Sequence, residues 1–246
     1  MKPVLSFGLL PERESMKADL MLLPHGDSAI DIVLDNVISS TVNARVHALS
    51  RQIQHASFDG ILGCIPAYRT LTVEYDPLRV TYGQLCLFLR SLPAPDTEAE
   101  QSQGRLLHIP VCYGEVFGPD LEEVASHAHL SVAEVIRRHA LPDYHVFMLG
   151  FRPGFPYLGG MDPSIACPRR ATPRQSVRGG SVGIAGEQTG VYPELSPGGW
   201  NIIGCTPLRL FDEKALSLIQ PGDTIRFVPV DESSFREIER SGRWEI

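Results

Sequence analysis

Three arginines set between prolines, in Pro168-Arg169-Arg170-Ala171-Thr172-Pro173-Arg174, are the side chains of this sequence best suited to chemistry. Proline fixes its own φ and restricts the residue before it, so such a loop can hold guanidinium forks ready for the paired oxygens of a carboxylate or phosphate. An alternative is equally open, because the chain carries 29 Asp and Glu against 22 Lys and Arg and the forks could pair with surplus acids. The arginines lie in a run from Gly150 to Pro207 that holds 12 of the 22 glycines and 8 of the 20 prolines. Between those turn formers stand Phe151, Phe155, Tyr157, Tyr192 and Trp200, with further cations at Arg152 and Arg178. Specified turns carrying aromatic faces and cations are how a scaffold builds a concave site for a planar or anionic ligand. The candidate ligand-binding residues are therefore Arg152, Phe155, Tyr157, Arg169, Arg170, Arg174, Gln188, Thr189, Tyr192 and Ser196, with Trp200 assigned to the core.

Other chemistries find less support. Gly179-Gly180-Ser181-Val182-Gly183 fits the G-x-S-x-G pattern of serine hydrolases, but that elbow needs a helix after the serine, and Val-Gly-Ile-Ala-Gly follows instead. Ser181 is read as a serine in a Gly-rich bend, and no catalytic residue is assigned. The chain has three lysines (Lys2, Lys17, Lys214) and neither G-x-x-x-x-G-K-[ST] nor G-x-G-x-x-G, so it has no familiar phosphate cradle. His127 and His129 would point to different sides of a helix, which disfavours a shared metal. The five cysteines are scattered and odd in number, a pattern of reduced, buried thiols.

The elements that must position the loop follow from periodicity. Polar residues 93–104 (PAPDTEAEQSQG) divide an α+β unit, 1–92, from a second unit, 105–246. In the first, Ala29–Leu34 and Leu71–Tyr75 read as strands, Val42 to Ile53 as a helix, and Thr81 as the N-cap of a helix through Leu92, suggesting a small ferredoxin-like β-α-β arrangement. In the second, a strand at Leu106–Tyr113 precedes helices at Pro119–Ala128 and from Ser131, where Ser131 and Glu134 form a capping box. Short strands at His145–Phe151, Ser181–Ala185, Trp200–Ile203 and Thr224–Val230 then suggest a closed barrel with helices at its ends. A net charge of −7 argues against nucleic acid or an anionic membrane as partner. No cleavable leader pattern or membrane-length apolar run is seen, which gives the expectation of a cytoplasmic protein.

Phe151-Arg152-Pro153-Gly154-Phe155-Pro156-Tyr157-Leu158-Gly159-Gly160, Pro168-Arg169-Arg170, Gly180 to Gly186, Gln188 to Pro193 and Ser196-Pro197-Gly198-Gly199-Trp200 together resemble the signature of the KipI/PxpB family, also called allophanate hydrolase subunit 1. The likeness continues in Val111 to Gly114 and Phe117-Gly118-Pro119-Asp120-Leu121, and more weakly towards Gly26. It departs at Glu115, where a glycine is expected, at Arg178-Gly179 in place of Pro-Ala, and at Cys205 in place of Arg. The resemblance implies a cyclophilin-like β-barrel in the second unit. It also implies an ATP-dependent 5-oxoprolinase complex that opens 5-oxo-L-proline to glutamate, with a PxpC-type subunit as direct partner and a PxpA-type subunit as the third. ATP would bind the complex rather than a motif of this chain, which would be inactive alone. Two other roles occur among such proteins: inhibition of a sensor histidine kinase, and a part in allophanate hydrolase or urea carboxylase.

Overall fold

The computed structural model describes residues 20–94 and 104–244. The described residues fall into two compact units, 20–94 and 104–244. Most of the segment expected to link them, 95–103, lies outside the described residues.

In the first unit the apolar alternation of Ile30/Ile32 and Leu71/Val73/Tyr75 makes two strands, β2 (Ala29–Val33) and β4 (Thr70–Tyr75), whose partners Ile32↔Leu71 and Ile30↔Val73 bury a common face. With β1 (Met21–Pro24) and β3 (Ile61–Pro66) they form an antiparallel sheet in the order β1-β2-β4-β3. Helix α1 (Ser40–Ala56) presents Val46, Leu49 and Ile53 to that core, and α2 (Tyr82–Ser91) presents Leu85 and Leu89. Thr81 and Gln84 close a reciprocal capping box at the start of α2, as the spacing predicts. The sheet adds two strands to the β-α-β unit. An extra strand, β1, pairs with β2, and β4 lies between β2 and β3, the strands that flank α1.

The second unit is a seven-stranded closed barrel. Its strands are β5 (Leu106–Tyr113), β6 (Tyr144–Leu149), β7 (Pro156–Gly159), β9 (Ser181–Ala185), β10 (Gln188–Val191), β12 (Asn201–Cys205) and β15 (Thr224–Pro229), in the order β10-β7-β6-β15-β5-β12-β9. All neighbours are antiparallel except β15 and β5, which run parallel from Thr224↔Leu106 to Pro229↔Val111. Ile109, Val111, Val146, Leu158, Val182, Ile184, Ile203, Ile225 and Phe227 fill the core with residues of α3 (Leu121–His127) and α4 (Val132–Ala140). Two small sheets lie outside the barrel, β8 (Arg174–Val177) with β11 (Ser196–Gly198) and β13 (Phe211–Asp212) with β14 (Leu216–Ser217), and α5 (Glu232–Ser241) follows β15. The expected capping box of α4 is only half formed. Ser131 accepts from the Glu134 N–H, while the Glu134 carboxylate is drawn to Arg137 and Arg138 at 2.8 and 2.7 Å.

His139 is fully buried beside the barrel core. Its Nδ1 lies 2.8 Å from the Tyr113 hydroxyl and its Nε2 2.9 Å from Thr189 Oγ1, which donates to the Gly183 carbonyl at 3.0 Å. With the Thr189 hydrogen committed to Gly183, Nε2 donates, and in the neutral imidazole that burial favours Nδ1 accepts from the Tyr113 hydroxyl. Burial pushes its pKa down to about 3. The unfolded chain, with an ordinary value near 6.5, therefore binds a proton that the folded unit refuses. The His139 contribution to stability is complete above about pH 6.5 and is lost as pH falls from there towards 3. We expect His139→Gln to have a lower Tm than the parent at pH 7.5 and a shallower decline of Tm between pH 6.5 and 4; parallel declines would refute this.

Glu115 carries a φ of 45°, in the left-handed region that favours glycine. A glycine would hold this conformation without strain. Glu115→Gly should leave the Tm unchanged or raise it, by up to about 1 kcal/mol of stability; a clear loss in thermal melts would show that the Glu115 side chain makes a compensating contact.

Candidate functional site

The Gly/Pro-rich stretch folds around one aromatic hub. Phe155 is buried and meets Phe151, Tyr157, Tyr192 and Trp200 at ring-centroid distances of 5.6, 5.1, 5.3 and 5.3 Å, three of them edge-to-face. The loop that delivers Phe155 is pinned by its own backbone, with the Phe155 N–H donating to Arg152 O at 3.0 Å and the Gly150 N–H donating to Phe155 O at 3.1 Å. It leaves Phe151 at a φ of 60° and 58% exposed at the mouth. Gly198 is required beside the hub, because a Cβ there would lie 2.4 Å from the Tyr192 hydroxyl.

These rings line a cleft of about 350 Å3 together with Arg169, Arg170, Pro173 and the Pro197-Gly198-Gly199 turn. The arginine segment is fastened to the strand beside it. Asn201 Nδ2 donates to Pro168 O at 2.7 Å, and the Arg170 N–H donates to Gly199 O at 2.9 Å. Arg169, held at both flanks by its backbone, is exposed and makes no hydrogen bond or ion pair among the described residues. Burial raises the phenol pKa values of Tyr157 and Tyr192, with the Arg169 charge acting the other way on both, which keeps both rings neutral beside the cation.

Of the ten candidates, Phe155, Tyr157, Arg169, Arg170 and Tyr192 line this cleft. The other five do not. Arg152 faces Glu194 at 3.6 Å and lines a separate cavity that shares only Phe151 with the cleft. Arg174 is taken up by Asp120 through two hydrogen bonds of 2.8 and 2.7 Å. Thr189 is buried against His139, Ser196 is buried in β11, and Gln188 is half-buried in β10. Trp200, assigned to the core, is indeed buried, yet it also forms cleft wall. Ser181 begins β9 and is followed by strand, and no histidine lines the small cavity beside it, which removes the hydrolase elbow.

Sequence reasoning gave no role to Asp120, the carboxylate on which the arginines converge. It is 3% exposed and accepts from Arg170 and Arg174 and from the Ile202 N–H at 2.7 Å. Cys205 is buried with Cys112, Phe117 and Phe235 in an apolar cluster, and burial pushes its thiol up to about 11. All five cysteines are free. No group of three His, Cys, Asp or Glu able to hold a metal occurs among the described residues, and no helix among them is long and apolar enough to cross a membrane.

A closed barrel bearing this cleft falls in the class of carboxyltransferase-type domains: the family model "Carboxyltransferase domain, subdomain C and D" matches residues 20–219. Within that class the chain belongs to the PxpB family of 5-oxoprolinase subunits. It is 45% identical over 222 residues to the PxpB-type 5-oxoprolinase subunit of Bacillus subtilis (strain 168), an alignment covering 85% of this chain and 92% of that protein. Among solved structures it is similar to TTHA0988, with a TM-score of 0.72 and 38% identity, covering 82% of this chain but 40% of that longer one. The K. lactis urea amidolyase, at 19% identity and a TM-score of 0.74 over 95% of this chain and 16% of the other, shares the fold.

Proposed function

We propose that this chain is the PxpB-type subunit of an ATP-dependent 5-oxoprolinase, working with a directly bound PxpC-type subunit and a PxpA-type subunit to open 5-oxo-L-proline to L-glutamate. The observation that carries this is the cleft, lined by aromatic rings that suit a small flat ring and by Arg169, a cation with no ion-pair partner among the described residues, in a chain that spans 92% of a 5-oxoprolinase relative. The reaction adds water across the lactam C–N bond, freeing the amine and a second carboxylate. This chain supplies binding and orientation, since no nucleophile paired with a base is found among the described residues lining the cleft and the sequence has no familiar phosphate cradle. ATP binding is assigned to the complex.

The test is reconstitution. Purified chain alone should release no glutamate from 5-oxo-L-proline with ATP and Mg2+, and addition of PxpC- and PxpA-type subunits should restore turnover. Ser181→Ala should leave that turnover unchanged. Hydrolysis by the chain alone, abolished by Ser181→Ala, would overturn the assignment.

A further inference from the structure

Asp120 ties three separate segments together. It stands before α3, binds Arg170 ahead of β8 and Arg174 at the start of β8, and accepts from the Ile202 backbone in β12. The two arginines are held differently. Arg174 presents its whole fork, Nη1 to Oδ2 and Nη2 to Oδ1, and does not line the cleft. Arg170 gives Asp120 only Nη1, at 2.7 Å, with a weaker contact from that nitrogen to Glu123 at 3.3 Å. Its Nε is buried with no hydrogen-bond partner, although Arg170 does line the cleft. A buried N–H left unpaired is costly, and a guanidinium anchored at one nitrogen is pre-ordered for an acceptor at another. The charge points the same way: Arg170 and Arg174 share Asp120, Arg170 also meets Glu123, and Arg169 makes no ion pair among the described residues.

We infer that Asp120 is the positioning residue of an anion site, fixing Arg170 so that the part of its guanidinium left open to the cleft acts with Arg169 to grip the carboxylate of a small ring ligand lying against Phe155, Tyr157 and Tyr192. This rests on the proposed substrate and assigns the residues that recognise it. Arg174 is the strut that holds Asp120 in place.

The chain has two tryptophans, so Trp244→Phe leaves Trp200, in the cleft wall, as the fluorescent reporter. In that background the purified chain is titrated with 5-oxo-L-proline, with its uncharged carboxamide and with inorganic phosphate. The acid should give a saturable change and bind at least about tenfold tighter than the amide, in line with a charged hydrogen bond. Asp120→Asn and Arg170→Lys should each reduce that preference about tenfold, and Arg174→Lys less than about threefold. A merely structural Asp120 would weaken acid and amide in parallel, and that result would overturn the inference. So would equal effects of Arg170→Lys and Arg174→Lys, phosphate binding as tight as the acid, or no saturable response to the acid. If Asp120→Asn does not fold, the Arg170→Lys ratio decides. Turnover by the reconstituted complex judges the substrate assignment separately: a complex that opens 5-oxo-L-proline while the chain shows no acid preference would sink the site and spare the function.

Discussion

Phe155→Ala should cost the barrel unit about 3–5 kcal/mol of stability and abolish the fluorescence response of Trp200 to any cleft ligand. The side chain is 1% exposed and touches four other aromatic rings, so its removal leaves a cavity that those rings, fixed by their own strands and turns, can only partly refill. Phe151→Ala, by contrast, removes a ring that is 58% exposed at the mouth, and should cost less than about 1 kcal/mol. Chemical denaturation of the two variants side by side checks the pair. A Phe155→Ala midpoint within error of the Phe151→Ala midpoint would mean that the hub is not the support of the cleft.

The second large effect is expected at Gly118. A Cβ at this position would sit 1.9 Å from the Ile203 carbonyl oxygen and 2.7 Å from the Gly114 nitrogen, both backbone atoms with no rotamer by which to escape. The segment lies this close because Asp120 N–H donates to Ile202 O at 2.9 Å and Gly114 N–H to Ile203 O at 3.1 Å, clamping it onto β12. Gly118→Ala must break that clamp, and the expected loss is about 3 kcal/mol or more, together with the placement of Asp120. Gly83→Ala is the control, since no atom lies within 4 Å of a Cβ there and α2 gains a better helix former. Tm values that fall equally in both variants would show the clamp to be slack.

Local chemistry made much of this legible in the sequence. Thr81-x-x-Gln84, the alternation at Ile30/Ile32 and Leu71/Val73, and the helical stripe of α1 each act over a few residues, and each element appeared where its pattern placed it. The short strands β7, β8, β10 and β11 did not show, because a strand of three or four residues inside a Gly/Pro run has too few alternations to register. The site divided along the same line. Arg169 and Arg170 could be picked from composition, but whether a guanidinium is free or spoken for depends on which acid the fold brings to it. Asp120, some fifty residues earlier in the chain, carries no local mark of that duty. Thr189 shows the converse, a polar residue in a site-like motif that satisfies a buried histidine instead.

The parallel seam of the barrel bears on how the unit is made. Its first strand, β5, pairs with its last, β15, so closure joins residues from opposite ends of the unit, Leu106 with Thr224 and Val111 with Pro229. Until β15 leaves the ribosome, β5 and β6 each lack a neighbour and expose an open edge beside apolar surface. Contacts of such long sequence separation close slowly, since the loop entropy is spent before the pairing returns it. The nascent unit therefore passes through a stage in which its open edges can pair with other chains.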